Sequence, residues 1–138
     1  MASIDGEKIS NMMVEIAVAK GRINISGRAF LVGEDLCVII SGGDSPHIGC
    51  VTLSVPRPSL SNKNKISSTT SILNLIGHMD DEAAKYVSET LASRLNKNVV
   101  VTCGIHVDNI KPEEIHTTLE LIKELTDKLM EGLVNRKC

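Results

Sequence analysis

The stretch "GGDSPHIG", residues 42 to 49, joins two glycines, an acid, a proline and a histidine between segments that read as strands. A hairpin tip uses Gly for unusual backbone angles and accepts Asp, Ser and Pro, but it gains nothing from an imidazole. His47 therefore asks for a chemical role. Two further segments, "LIGHMD" and "CGIHVD", each leave an apolar run through Gly to reach His, one apolar residue and Asp. His78 and His106 lie 28 residues apart, about the length of one β-α-β unit.

If the strands before these two endings are parallel neighbours, both His-x-Asp groups sit at the carboxyl edge of a sheet, where open α/β sheets bind ligands. Alternation sends His and Asp of each pair to the same side. If the strand before "GGDSPHIG" runs the same way, His47, His78 and His106 converge with Asp44, Asp80 and Asp108. Helix N-termini at that edge add free N–H groups and partial positive charge, which receive an anion. The same side chains also fit a metal site, since three imidazoles and a carboxylate can hold Zn or Mn. Plainer readings stand beside these. Gly42 and Gly43 serve a turn, Asp80 or Asp81 caps a helix, and the histidines bond local backbone. His116, inside the last helical segment, receives no role.

The elements that would position these groups follow from periodicity. "MVEIAVAK" and "RINISGRAFLV" alternate as a β-hairpin; "DLCVIIS" and "IGCVTLSV" flank the His47 motif as a second hairpin, giving a four-strand antiparallel meander. Residues 56 to 70, "PRPSLSNKNKISSTT", are polar and read as a long surface loop carrying Arg57, Lys63 and Lys65. "SILNLIG" is a short strand. "DDEAAKYVSETLASRL" places Ala83, Val87, Leu91 and Leu95 on one helical face, and "NVVVTCGI" has the β-branched density of a central strand. "PEEIHTTLELIKELTDKLMEGLV" opens with Pro112, Glu113 and Glu114, as a first helical turn should, and carries Ile115, Leu119, Ile122 and Leu129 inward. The class is α+β: a mixed, largely antiparallel sheet, four strands and then β-α-β-α, with helices packed against it.

The 138 residues predict a single domain over 1–138. With a net charge of −2 and only Phe30 and Tyr86 as aromatics, neither a phosphate-binding patch nor a base-stacking platform is present, which argues against nucleic acid. The start "MASIDGEKIS" lacks a secretory pattern and the apolar runs are too short for a bilayer, so a cytoplasmic, membrane-free protein is expected. No two of Cys37, Cys50, Cys103 and Cys138 form a C-x-x-C pair, and free thiols are expected, with Cys37–Cys50 the alternative pairing across the second hairpin. Nucleophile elbows, Walker loops and dinucleotide fingerprints are absent.

At "GGDSPHIG", "GHMDDEA" and "CGIHVDNIKPEEI" the chain resembles a family of small bacterial and archaeal proteins described as prenylated-flavin chaperone-like. The family includes the small D subunit that accompanies gallate-type hydroxyarylic acid decarboxylases, and it is similar in fold to eukaryotic proteasome assembly chaperones. The resemblance runs from the first strand to the last helix. It implies a non-catalytic accessory protein that binds prenylated FMN, or FMN through its phosphate, and assists a prenylated-flavin-dependent decarboxylase. It also implies a homodimer or higher homo-oligomer. The contacts it implies are Gly42, Gly43, Asp44, His47 and Gly49; Gly77, His78, Asp80 and Asp81; and His106, Asp108 and Asn109. Two other functions remain open from the residues: a metal-dependent enzyme built on the His/Asp cluster, and a ligand-free assembly chaperone whose motifs only shape loops.

Overall fold

β1 (Met13–Lys20), β2 (Ile23–Val32) and β3 (Asp35–Gly43) form a meander through two-residue turns. After β3 come β4 (Cys50–Pro58), β5 (Ile66–Asn74), helix α1 (Met79–Leu95), β6 (Val99–His106) and helix α2 (Pro112–Val134). The computed structural model describes residues 12 to 75 and 79 to 135. Its six strands make one mixed sheet in the order β1-β2-β3-β6-β4-β5. Both helices pack on the same face, α1 over β4, β5 and β6 and α2 over β1 and β2. The α+β class and the packing of helices on a sheet are as the sequence predicts.

The pairing of the middle strands corrects the sequence reading. β3 and β4 do not form a hairpin: β6 lies between them, parallel to β3 and antiparallel to β4. Residues 44 to 49 are therefore a crossing connection. Two strand spacings span ~10 Å, and six extended residues reach up to ~20 Å, so the segment bridges the gap easily. β6 takes the centre because Val99, Val101, Cys103 and Ile105 need burial, and only a position between two strands supplies it. The same insertion separates β5 from β6, which remain parallel but have β4 between them.

The segment 56 to 70 is not a loop. β4 runs on to Pro58 and β5 begins at Ile66, so the connection is only residues 59 to 65, closed by Ser59 N–H donating to the Lys65 carbonyl at 2.8 Å. Polarity misleads there because β5 is an edge strand, where Ser and Thr suit the solvated side. Pro56 and Pro58 are tolerated because the β4–β6 ladder stops at Ser54, leaving β4 without a neighbour on that side.

Packing under the helices is only partly apolar. Ala83, Ala84, Val87, Leu91 and Ala92 bury one face of α1, the small residues bringing the helix close to the sheet. Beneath it, Thr52 and Ser54 of β4 donate to the buried Ser88 hydroxyl at 3.0 and 2.8 Å. Such a network costs little because it is satisfied, and no buried side-chain polar atom among the described residues lacks a partner. On α2 the buried face is Thr118, Leu121, Ile122, Leu125, Thr126 and Leu129. Ile115 is instead exposed and Leu119 half-buried, because the inward stripe begins one turn later than the sequence pattern indicates. Cys37, Cys50 and Cys103 are free, and Cys50 stands opposite Cys103 rather than Cys37, since β6 occupies the intervening position. No described helix is long and apolar enough to cross a membrane.

Candidate functional site

β3, β5 and β6 all run toward one edge of the sheet, and the β1–β2 turn lies there as well. Gly43 ends β3 opposite His106, which ends β6. From that point residues 44 to 49 cross the end of β6, held by backbone bonds along the whole route. Asp44 N–H donates to the His106 carbonyl at 2.6 Å, His47 N–H to Gly104 at 3.5 Å and Gly49 N–H to Cys103 at 2.9 Å. Two glycines permit the crossing. Gly43 has φ +76°, and a Cβ there would collide with the His106 carbonyl; a Cβ on Gly104 would fall on the His47 carbonyl.

The first and third motifs are thereby interlocked. The Asp44 carboxylate accepts the Asp108 N–H at 2.8 Å, and His106 Nε2 lies 3.0 Å from Asp108 Oδ1. Asn109 completes the turn into α2 with φ 51°, a left-handed conformation that Asn tolerates. The second motif joins through Asp80, which is 4% exposed. Its Oδ1 accepts the Ile105 N–H at 2.9 Å and its Oδ2 lies 3.2 Å from His47 Nε2. Because His47 Nδ1 faces the Ser45 carbonyl at 3.0 Å, both ring nitrogens of His47 have an acceptor. Gly49 makes room here, since a Cβ would strike the Asp80 carboxylate.

Some sequence candidates have plainer roles. Gly42 lies against the Asn24 carbonyl of β2, where any side chain would collide. Asp81 serves the start of α1, accepting from Glu82 N–H at 2.7 Å and from the Asn74 amide at 3.2 Å. Gly77 and His78 lie outside the described residues, so the convergence concerns His47 and His106 with Asp44, Asp80 and Asp108. No group of three or more His, Cys, Asp or Glu among the described residues is arranged to hold a metal ion.

Arg22, at the β1–β2 turn, is the member that motif reading misses. Its guanidinium grips Glu114 of α2 in a fork, Nε to Oε2 at 2.7 Å and Nη2 to Oε1 at 2.9 Å. Nη2 also donates to the Asp108 carbonyl at 2.8 Å, and Nη1 stands 3.6 Å from Asp44 Oδ2. One side chain thus ties the first turn to both loops of the site. The guanidinium bond, with the Lys111 N–H behind it, holds the Glu114 carboxyl down at about 2. Arg22 belongs to no motif; only its place in a turn at this edge could have marked it.

The edge offers two half-exposed imidazoles, with side-chain exposures of 40% for His47 and 54% for His106, among carboxylates already engaged as acceptors. His106, bonded through Nε2 alone, can donate from Nδ1 to an anionic group or to a hydroxyl, whereas His47 must first exchange the Ser45 carbonyl or the Asp80 carboxylate for a ligand. Neither aromatic side chain is near: Phe30 pairs with Cys37 toward the opposite edge, and Tyr86 faces Lys123 between the helices.

Residues 19–134 match the family model of the prenylated flavin chaperone LpdD-like domain. Over 103 residues the chain is 25% identical to Protein LpdD of Lactiplantibacillus plantarum, covering 75% of this chain and 72% of that protein. Among solved structures, it is similar to a crystal structure of a chaperone complex for yeast 20S proteasome assembly. That likeness has a TM-score of 0.55 and 17% identity, and covers 88% of this chain and 98% of the other. It is a likeness of fold alone.

Proposed function

The chain belongs to the prenylated flavin chaperone LpdD-like family, and on that premise we propose that it is a non-catalytic accessory protein which binds prenylated FMN, or FMN, and passes it to a cytoplasmic decarboxylase. One observation carries the reading: the first and third motifs meet at a single sheet edge and leave the His47 and His106 rings half-exposed there. A flavin mononucleotide presents a phosphate and ribityl hydroxyls, which suit imidazole donors and carboxylate acceptors. His106 would take the phosphate through Nδ1, His47 would join it by exchanging the Ser45 carbonyl for the ligand, Asp44 and Asp108 would take the hydroxyls, and Gly77 and His78 belong to the same proposed contact set.

The fit is to the polar end of the cofactor. With no aromatic side chain among the described residues at this edge, the isoalloxazine face has nothing to stack on. A carrier that leaves the ring for its client to cover suits hand-over better than storage. The chain would act as a homo-oligomer beside that client.

The test titrates the purified chain with FMN and with riboflavin, and measures holo-decarboxylase yield with and without it. FMN should bind, His47→Ala and His106→Ala should each weaken it about tenfold, and riboflavin affinity should be unaffected. Equal holo-enzyme yield without the chain would defeat the proposal.

A second reading draws on the bonds themselves. Asp44 and Asp80 both serve backbone N–H groups, so the motifs would only hold loops in a ligand-free assembly protein. In that case neither histidine substitution alters client maturation.

A further inference from the structure

α1 rests on β4, β5 and β6 and α2 on β1 and β2, so the helices approach each other above β3 with a cleft between them. Side chains from successive turns of each helix face into it. α1 supplies Glu82 and Tyr86; α2 supplies His116, Leu119, Glu120 and Lys123, with the buried Ile122 beneath. The cavity they line is about 350 Å³, within the ~300 to 1,000 Å³ of small-molecule sites. Tyr86, Leu119 and Ile122 make its body apolar. None of the residues assigned to the flavin edge lines it.

The charges around this cleft do not cancel in place. Glu120 is engaged, by His116 Nε2 at 2.8 Å and by Lys20 Nζ at 4.0 Å. Among the described residues neither Glu82 nor Lys123 has an ion-pair partner, and the Lys123 ammonium only overlooks the Tyr86 ring, 6.0 Å from its centroid. That is the outer limit of a cation–π contact and holds the ammonium weakly. One carboxylate and one ammonium thus border the same apolar cleft unpaired, one on each helix. The complement of such a cleft is a small zwitterion, with an ammonium for Glu82, a carboxylate for Lys123 and an apolar body against Tyr86, Leu119 and Ile122. A charge-assisted hydrogen bond at each end would fix its orientation, since the reversed pose sets like charges together.

We propose that the cleft between α1 and α2 binds an amino acid with an apolar side chain, its ammonium on Glu82 and its carboxylate on Lys123. The inference goes beyond the flavin reading and does not depend on it. Tyr86 is the only tyrosine of a chain that has no tryptophan, so its emission reports occupancy directly.

Titration of the full chain with L-leucine, read by Tyr86 emission and by amide chemical shifts, tests this. Leucine should saturate the site below ~10 mM, with shifts centred on residues 82 to 86 and 116 to 123. Isopentylamine, which lacks the carboxylate, and 4-methylpentanoate, which lacks the ammonium, should each bind at least ~10-fold more weakly, the loss of one charge-assisted hydrogen bond. Glu82→Gln should weaken leucine about tenfold and leave 4-methylpentanoate unchanged; Lys123→Gln should weaken leucine about tenfold and leave isopentylamine unchanged. Both side chains are exposed, where Gln is tolerated by the fold. No saturation by either readout overturns the proposal, as does leucine binding indifferent to both substitutions, or a singly charged analogue that binds as tightly as leucine. FMN affinity should be the same in both variants. Failure of FMN to bind would defeat the flavin reading and leave the leucine result standing, so the two proposals fail separately.

Discussion

The Asp80 carboxylate extends the β6 ladder where β4 stops: Oδ1 accepts the Ile105 N–H at 2.9 Å, two residues beyond the last β4–β6 pair at Cys103. A side chain from the first turn of α1 thus fills the position of a strand, and the same group's Oδ2 meets His47. Helix, sheet and crossing connection are fastened through one carboxylate.

Asp80→Ala leaves the Ile105 N–H without an acceptor in a buried setting and removes the partner of His47. The expected loss is about 1 to 3 kcal/mol of stability, read by urea denaturation. Asp80→Asn keeps an acceptor for Ile105 and should lose less. If both substitutions are neutral, the bond is not structural.

Gly104→Ala drives a methyl group into the His47 carbonyl, which is backbone and cannot swing aside. The connection must lift off β6, costing at least about 1 to 3 kcal/mol and weakening FMN binding together with stability. Thermal unfolding and titration of one preparation measure both. An unchanged melting temperature would count against the crossing described for residues 44 to 49.

Glu114 has a folded-state value of about 2 against an ordinary 4.5, depressed chiefly by its hydrogen bond to Arg22. A depressed carboxylate contributes stability that is complete above pH 4.5 and is lost as pH falls through about 2. The stability gap between wild type and Glu114→Gln should therefore stay level from neutral pH to about 4.5 and narrow below it. Equilibrium unfolding at a series of pH values reads the gap. A gap already closing between pH 7 and 5 would mean that Arg22 does not hold Glu114 in solution.

Burial pushes the Cys103 thiol far up, and Cys50 is raised by burial and by the nearby Asp81 and Asp80. Both should resist alkylation in the folded chain, while the half-buried Cys37 reacts at least ~10-fold faster. Mass spectrometry of labelled peptides assigns each site. Equal labelling of all three would contradict the buried β4–β6 pairing.

The sequence by itself determined the elements and their chemistry. Alternation in "INISG", the four-residue step from Ala83 to Leu91 and the Pro112 start of α2 are local patterns, set by whether a side chain faces core or water within its own segment. The His-x-Asp ending at His106 marked an edge for the same reason, since His106 ends β6. Only the tertiary structure decided which strands are neighbours, because β6 enters between β3 and β4 to pair both of its edges and bury Val99, Val101, Cys103 and Ile105 under the helices, and no residue near Gly42 or Gly49 records that arrival. Arg22, Glu114 and Gly104 became part of the site for the same reason. Their roles consist of contacts with chain distant in sequence, such as Arg22 with Glu114, and these exist only once the sheet has closed. The polar first half of β5, residues 66 to 70, escaped notice because its hydrogen bonds to β4, and not an apolar pattern of its own, make it a strand.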